Sequence, residues 1–310
     1  MKKTHIILSI LTVLAICLFV SYPEIYTKTL LEGLKIWFYC VLPAVFPFFF
    51  LTTFLTKLGA VNGIAEKSDK LARKIFRCGG ISVYVFFISI LSGYPVGAKL
   101  INELHKQNKI TTAEATRMSA FCSTSGPLFI IAAVGVSMLF DKKLGLLIFA
   151  AHVLSAVLSG IIFRNYKKRE PISQNNFSAP LGTSYDNILG ESVYAAVISI
   201  ITVGGYVSLF YCFAEMLFSL LPPIQNLYVS GFLQGVVEIT RGSMFLAANI
   251  DKTAAACLIC ALVSLGGVSI NAQAIAYLSE CKVNIKVYLL SKALQCVISG
   301  IICCLFLSIF

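Results

Sequence analysis

Ser92-Gly93-Tyr94-Pro95-Val96-Gly97 interrupts an otherwise apolar stretch running from Ile81 to about Lys106. Such a Gly/Pro cluster unwinds a helix, because proline removes a backbone donor and glycine tolerates non-helical dihedrals. The pattern recurs. Thr112 to Phe140 is broken at Cys122-Ser123-Thr124-Ser125-Gly126-Pro127, Ile224 to Asn249 at Gln234 through Gly242, and Thr253 to Glu280 at Ser264 through Asn271. Unwound backbone inside apolar surroundings survives only where it is buried in protein or lines a wet cavity.

The rest of the chain says what those surroundings are. Of 310 residues, 58% are hydrophobic and 13% charged, and the mean hydropathy is +0.86. A soluble domain carries close to a quarter charged residues, so a soluble enzyme, a nucleic-acid-binding module and a disordered chain are all excluded. The net charge of +11 does not reverse this, because the basic residues fall in short clusters between apolar runs, where they set membrane orientation. The eleven cysteines lie almost entirely inside those runs and act as small hydrophobes. Cys257 and Cys260 form a lone CxxC with no second pair, and His5, His105 and His152 are scattered, so no metal site and no cofactor are expected.

The spans follow from length. An N-terminal helix from Ile6 to Val20 lacks a small-x-small cleavage site after it and reads as a transmembrane helix, not a leader. Further spans are about Trp37 to Thr56, Leu144–Phe163, about Glu191 to Leu217, and about Val287 to Phe310.

The breaks pair up. Gly93 and Gly126 are 33 residues apart and Gly235 and Gly267 are 32 apart, each pair flanked by a full span on both sides. A short polar connection starts a new helix at Thr111-Thr112 in the first pair and at Thr253 in the second. The chain therefore divides into an N-terminal helix (1–30), a first repeat (31–163), a cytoplasmic linker (164–187) and a second repeat (188–310). Paired interrupted segments at matching places in two halves point to a transporter with internal repeats. The expected fold is an all-α polytopic membrane protein, an inverted repeat of three spans plus one re-entrant hairpin each, with an extra N-terminal transmembrane helix.

Charge sets the orientation. If Ile81 to Lys106 and Ile224 to Asn249 are hairpins that enter and leave on one side, each half makes an odd number of crossings and the halves are inverted. With Met1 inside, sixteen Lys and Arg then fall in cytoplasmic segments, against four outside (Lys28, Lys142, Lys143 and Lys252). Lys35, Lys99, Arg117, Arg241 and Lys292 are left as intramembrane or borderline. The C-terminal Phe310 is expected outside.

The strings Ser92 to Lys99, Phe121 to Ile130 and Gly266 to Gln273, together with Val41-Leu42-Pro43-Ala44-Val45-Phe46-Pro47-Phe48, resemble the YlbJ family of sporulation integral membrane proteins over nearly the whole chain. That family belongs to the nucleoside-recognition (Gate) group and is similar in layout to concentrative nucleoside transporters, in which two hairpin tips and two broken helices surround the substrate. The resemblance implies a role in endospore formation, moving dipicolinic acid towards the forespore, with the outer forespore membrane as the expected location. It also implies a substrate site at Ser92, Gly93, Tyr94, Pro95, Gly97 and Lys99 on the first tip. Ser123, Thr124, Ser125 and Gly126 match the first helix break, Glu238, Thr240 and Arg241 the second tip, and Gly267, Ser269, Asn271 and Gln273 the second break. Tyr94-Pro95-Val96 stands where the nucleoside carriers have Gln and Glu residues, which argues against a nucleoside.

The residues themselves carry chemistry suited to an anion. A helix restarting after Pro127 points its positive end into the break. An ionisable group at membrane depth costs at least about 2.5 kcal/mol and is a functional hypothesis by default. Glu238 and Arg241 are spaced for a mutual ion pair, and Arg241 could equally grip a carboxylate with both prongs of its guanidinium.

The expected function is secondary transport of a small organic anion by alternating access, with H+ or Na+ as coupling cation, the lipid bilayer as surroundings and a homo-oligomer as assembly. A nucleoside-type solute carrier and a non-transporting assembly factor are the alternatives. An embedded hydrolase is disfavoured because no intramembrane histidine accompanies a serine in the pattern, and no HExxH occurs.

The orientation is testable. Single cysteines at Lys142 and Lys168, on a cysteine-depleted background, should react with an impermeant maleimide from opposite sides. Reaction of both from the same side would refute the odd number of crossings.

Overall fold

In the computed structural model the chain is all-helical, and the structure describes residues 3–173 and 187–309. The helices are α1 (Lys3–Ser21), α2 (Pro23–Lys57), α3 (Ala60–Phe76), α4 (Ile81–Ser92), α5 (Val96–Lys106), α6 (Thr112–Ser119), α7 (Leu128–Met138), α8 (Lys142–Phe163) and α9 (Ile188–Ser219). They continue with α10 (Leu227–Val237), α11 (Ile239–Asn249), α12 (Lys252–Leu265), α13 (Gly267–Glu280) and α14 (Ile285–Ile309). Among the described residues, α2, α8, α9, α12 with α13, and α14 are long and apolar enough to cross a membrane. The bent pair Gly63–Phe76 and Ile81–Ser92 makes a sixth if taken as one span. The protein is therefore a multi-pass integral membrane protein.

Several boundaries differ from the sequence reading, each for a local reason. The span expected at Trp37 to Thr56 starts at Pro23, and the boundary placed at residue 30 falls inside this 35-residue helix. Pro43 and Pro47 do not stop it: the winding widens to i→i+5 bonding over Trp37–Val41, where Leu42 N–H reaches the Trp37 carbonyl just ahead of Pro43, and Pro47 lies inside the helical run that continues to Lys57. The stretch Ala60–Phe76, counted in the sequence only as a basic cytoplasmic segment, is an amphipathic helix. Ala65, Ala72 and Phe76 are buried on one face while Lys67, Lys70 and Lys74 are exposed on the other. The cap of α12 is Asp251, whose carboxylate accepts the Ala254 N–H at 2.9 Å, and not Thr253. At α6 the expected threonine start is present: Thr111 and Glu114 form a reciprocal capping box. Most of the linker 164–187, like Met1 and Phe310, lies outside the described residues.

Between long helices the order of elements is the same twice: a hairpin, then a broken helix, then a long helix. The hairpin arms are 12 and 11 residues in α4 and α5, and 11 residues each in α10 and α11. At 1.5 Å per residue each arm is about 16–18 Å long, roughly half the hydrocarbon thickness. The broken helices are α6 with α7, separated by residues 120–127, and α12 with α13, separated at Gly266.

Packing crosses between the two sets. The second arm of the first hairpin, α5, lies on α13, and the second arm of the other hairpin, α11, lies on α7. α8 and α14 pack on each other and on α12, while α2 packs along α9. One apolar core joins α4, α5 and α6 to α13, a second joins α7, α8, α11 and α12, and a third lies between α2 and α9. Trp37 seals the last of these, with its indole N–H on the Ile200 carbonyl at 3.1 Å and its ring over Gly204.

Candidate functional site

The two hairpin tips and the two helix breaks meet at one place. At the first tip the chain turns at Gly93, whose φ of +78° is open to glycine and strained for other residues. A Cβ there would lie 2.8 Å from the Gly126 amide nitrogen, so the first tip and the first break touch backbone to backbone. At the second tip, a Cβ on Gly267 would lie 3.0 Å from the Gly235 carbonyl oxygen, which puts the second break against the second hairpin in the same way. Between them lies a cavity of about 70 Å³. Ser92, Gly93, Tyr94, Ser125, Gly126, Glu238, Thr240 and Gln273 line it, with apolar walls from Val41 and Val45 of α2 and Val203 and Val207 of α9.

Freed backbone groups around the cavity are satisfied by side chains. The Ser125 N–H donates to Nε2 of His152 at 2.9 Å. That nitrogen is therefore the unprotonated one, and Nδ1–H donates to Ser264 Oγ at 2.8 Å, linking the first break to the second. The Ala120 carbonyl accepts from Gln295 Nε2 at 2.6 Å and the Ser123 carbonyl from Lys292 Nζ. Asn271 donates to the Leu265 and Gly267 carbonyls at 3.0 and 2.6 Å, and is held in turn by the Tyr288 hydroxyl at 2.8 Å. Tyr94 of the first tip accepts from Lys292 Nζ at 2.8 Å and donates to the Val263 carbonyl at 3.3 Å.

The expected site residues divide accordingly. Eight of the seventeen line the cavity. Thr124 is spent on Ser89, through both its hydroxyl and its amide, and Asn271 on the backbone of the second break. Gly97 is a packing position: a Cβ would fall 1.6 Å from the Cys122 carbonyl oxygen. Pro95, Ser123, Gly267 and Ser269 stand behind the wall; the Ser123 and Ser269 hydroxyls are buried without a hydrogen-bond partner.

Lys99 lies outside the cavity. It points into a separate pocket of about 150 Å³ between α2, α4, α5 and α9, where its Nζ is 3.4 Å from Ser199 Oγ. Arg241 also lies outside. The expected Glu238–Arg241 ion pair does not form, because Glu238 caps α11 by accepting the Arg241 backbone N–H at 2.7 Å. The guanidinium turns instead to the Glu215 carboxylate of α9, to Gln234 Oε1 at 3.0 Å and over the Tyr211 ring at 5.2 Å.

Sequence reasoning missed His152, Gln295, Tyr288 and Lys292, and the pairing of His152 with Ser264 overturns the statement that no intramembrane histidine accompanies a serine. No carboxylate completes a charge-relay geometry on that pair, since the other ring nitrogen holds Ser125 N. Among the described residues no cluster of His, Cys, Asp and Glu is arranged to hold a metal ion.

Similarity to known proteins agrees with this membrane architecture. The chain is 28% identical over 316 residues to the sporulation integral membrane protein YlbJ of Bacillus subtilis (strain 168), a match that covers 91% of this chain and 78% of that protein. The chain is YlbJ-like. No family model and no solved structure matches it.

For the YlbJ-like chain, the Arg241–Glu215 contact makes a stability prediction. Arg241→Gln should lower stability in detergent by more than the roughly 1 kcal/mol of exposed pairs and less than the 3–5 kcal/mol of buried ones. Adding Glu215→Gln should recover part of the loss, whereas adding Glu238→Gln should deepen it by removing a helix cap. Thermal denaturation of the purified variants decides between the two partners.

Proposed function

We propose that the protein is a secondary transporter of a small organic anion, working in endospore formation, with dipicolinic acid as cargo. The observation that carries this reading is the single cavity bounded by both hairpin tips and both helix breaks. A scaffold has no need of unwound backbone at membrane depth, and a transporter places its substrate there. The sporulation role comes from the YlbJ relative, whose name states it.

Two helix N-termini, those of α7 at Leu128 and α11 at Ile239, open onto the cavity. The first amides of a helix have no acceptor within it and carry its positive end, so this arrangement favours a negative ligand. In this reading the hairpins are re-entrant, the halves are inverted repeats, and seven helices cross with the N-terminus in the cytoplasm and the C-terminus outside. The reciprocal contacts of α5 with α13 and α11 with α7 support it. Glu238, buried in the cavity wall, is the group through which a coupling H+ or Na+ would act. At about 70 Å³ the cavity is well below the roughly 300 Å³ of ordinary ligand pockets, so it must widen to admit cargo. The location in the outer forespore membrane, the homo-oligomer and the absence of enzymatic chemistry belong to the same proposal.

Purified protein in liposomes should accumulate radiolabelled dipicolinate saturably over empty vesicles and leave nucleosides outside. Gly93→Leu and Gly126→Leu should abolish the flux while still inserting, because a bulky side chain would push the first tip off the first break. Uptake of nucleosides alone would favour a nucleoside-type carrier, and no flux of either solute would favour a non-transporting assembly factor.

A further inference from the structure

Lys292 is fully buried on α14, and none of its contacts is a carboxylate. Its Nζ donates to Tyr94 Oη at 2.8 Å, to the Ser123 carbonyl and to Gln295 Oε1 at 3.1 Å, with the Ser264 carbonyl at 3.5 Å. It also lies over the Tyr94 ring, 4.8 Å from the centroid. An ammonium offers three donors and no acceptor, and the three nearer acceptors around Nζ are enough to use them, with the Ser264 carbonyl a fourth and more distant oxygen. The site is therefore a lysine amine surrounded by neutral dipoles, inside a bilayer, where an opposite charge would bind its ammonium form far more strongly. The segment 285–309 supplies no Asp or Glu for this, and no salt bridge reaches Nζ among the described residues.

Its position joins three moving parts. Tyr94 belongs to the first hairpin tip, Ser123 to the first break and Ser264 to the end of α12 at the second break. Tyr94 is also the residue that links Nζ to the cavity: it is one of the lining residues, Lys292 is not, and its hydroxyl accepts from Nζ. Turning that one side chain aside would enlarge the cavity and place a bare cation on its wall.

We propose that Lys292 is the carboxylate-binding group of the transport site and that Tyr94 is a latch covering it. This deepens the transporter reading and rests on it. An incoming carboxylate takes Nζ from the Tyr94 hydroxyl and the Ser123 carbonyl, because a charged acceptor outcompetes neutral ones. The phenol swings away, the cavity opens to the size of the ligand, and the tie between the tip and the two breaks is released. Ligand binding and the loosening of the surfaces that part in alternating access are then one event. The cargo class follows: a compact anion with one carboxylate on Lys292 and a second negative group on the amides at the start of α7.

The test uses full-length protein and three probes of the same shape: pyridine-2,6-dicarboxylate, pyridine-2-carboxylate and neutral pyridine-2,6-dicarboxamide. Binding is read by ligand-induced thermal shift in detergent, and uptake in liposomes. Lys292→Met should weaken dicarboxylate binding by about 10- to 100-fold, the equivalent of one hydrogen bond to a charged group, and should reduce the preference for dicarboxylate over dicarboxamide by the same factor. Lys292→Arg should restore part of that preference. Tyr94→Phe deletes the competing oxygen and should tighten binding, an effect that a merely structural lysine would not produce. It carries the test by itself should Lys292→Met fail to accumulate. Wild-type uptake of the dicarboxylate with an unchanged preference in Lys292→Met, or unchanged or weaker binding in Tyr94→Phe, would overturn the assignment and leave the transporter reading standing. Binding that depends on Lys292 without any wild-type flux would do the reverse.

Discussion

Backbone amides and carbonyls released at the helix breaks need partners inside the protein, since hydrocarbon offers none. This constraint orders the molecule. Where α6 stops and α7 restarts, the Ala120 and Ser123 carbonyls and the Ser125 amide are taken by Gln295, Lys292 and His152. Where α12 ends, Asn271 takes the Leu265 and Gly267 carbonyls and is braced by Tyr288. The long helices α8 and α14 thus do more than fill the bilayer, because their polar side chains allow two helices to stay broken at depth.

From this follows the rest of the site. Because the breaks are held open, the hairpin tips can approach them backbone to backbone, which at Gly93 requires a residue without a Cβ and at Gly126 leaves only tight room for one. Because tips and breaks close on one another, the space between them is small, with two helix N-termini at its wall. Glu238 neutralises one of these by capping α11, and the other, at Leu128, stays open to the cavity. The cavity region thus has one capped and one uncapped helix start and a buried carboxylate, with the Lys292 amine behind Tyr94.

The four breaks were legible in the sequence because Gly and Pro clusters stand out against apolar runs, and the helices end at or near all four of them. The charge that lies behind the cavity wall was not legible. Arg241 is three residues from Glu238 and looked like its partner, but the tip geometry spends the Glu238 carboxylate on a backbone amide, and the guanidinium finds Glu215, 26 residues away. Lys292 reads as one cation in the last span, since its partners Ser123 and Tyr94 are 169 and 198 residues distant. The sign that was available is that the segment 285–309 contains Lys292 at depth with no acidic residue to pair with it. His152 is hidden for the same reason, because Ser264 lies 112 residues along the chain. The amphipathic helix at Ala60–Phe76 could have been read from its periodicity, but only its charges were used, to set the orientation.

The central claim is that one cavity, between two tips and two breaks, receives an anion that Lys292 holds. A structure determined with pyridine-2,6-dicarboxylate bound tests this most directly. The ligand should lie between Gly93, Gly126 and Glu238, with a carboxylate oxygen on Lys292 Nζ and the Tyr94 hydroxyl displaced from it. Ligand bound at Lys99 in the neighbouring pocket or at Arg241, with the Lys292–Tyr94 contact intact, would contradict it.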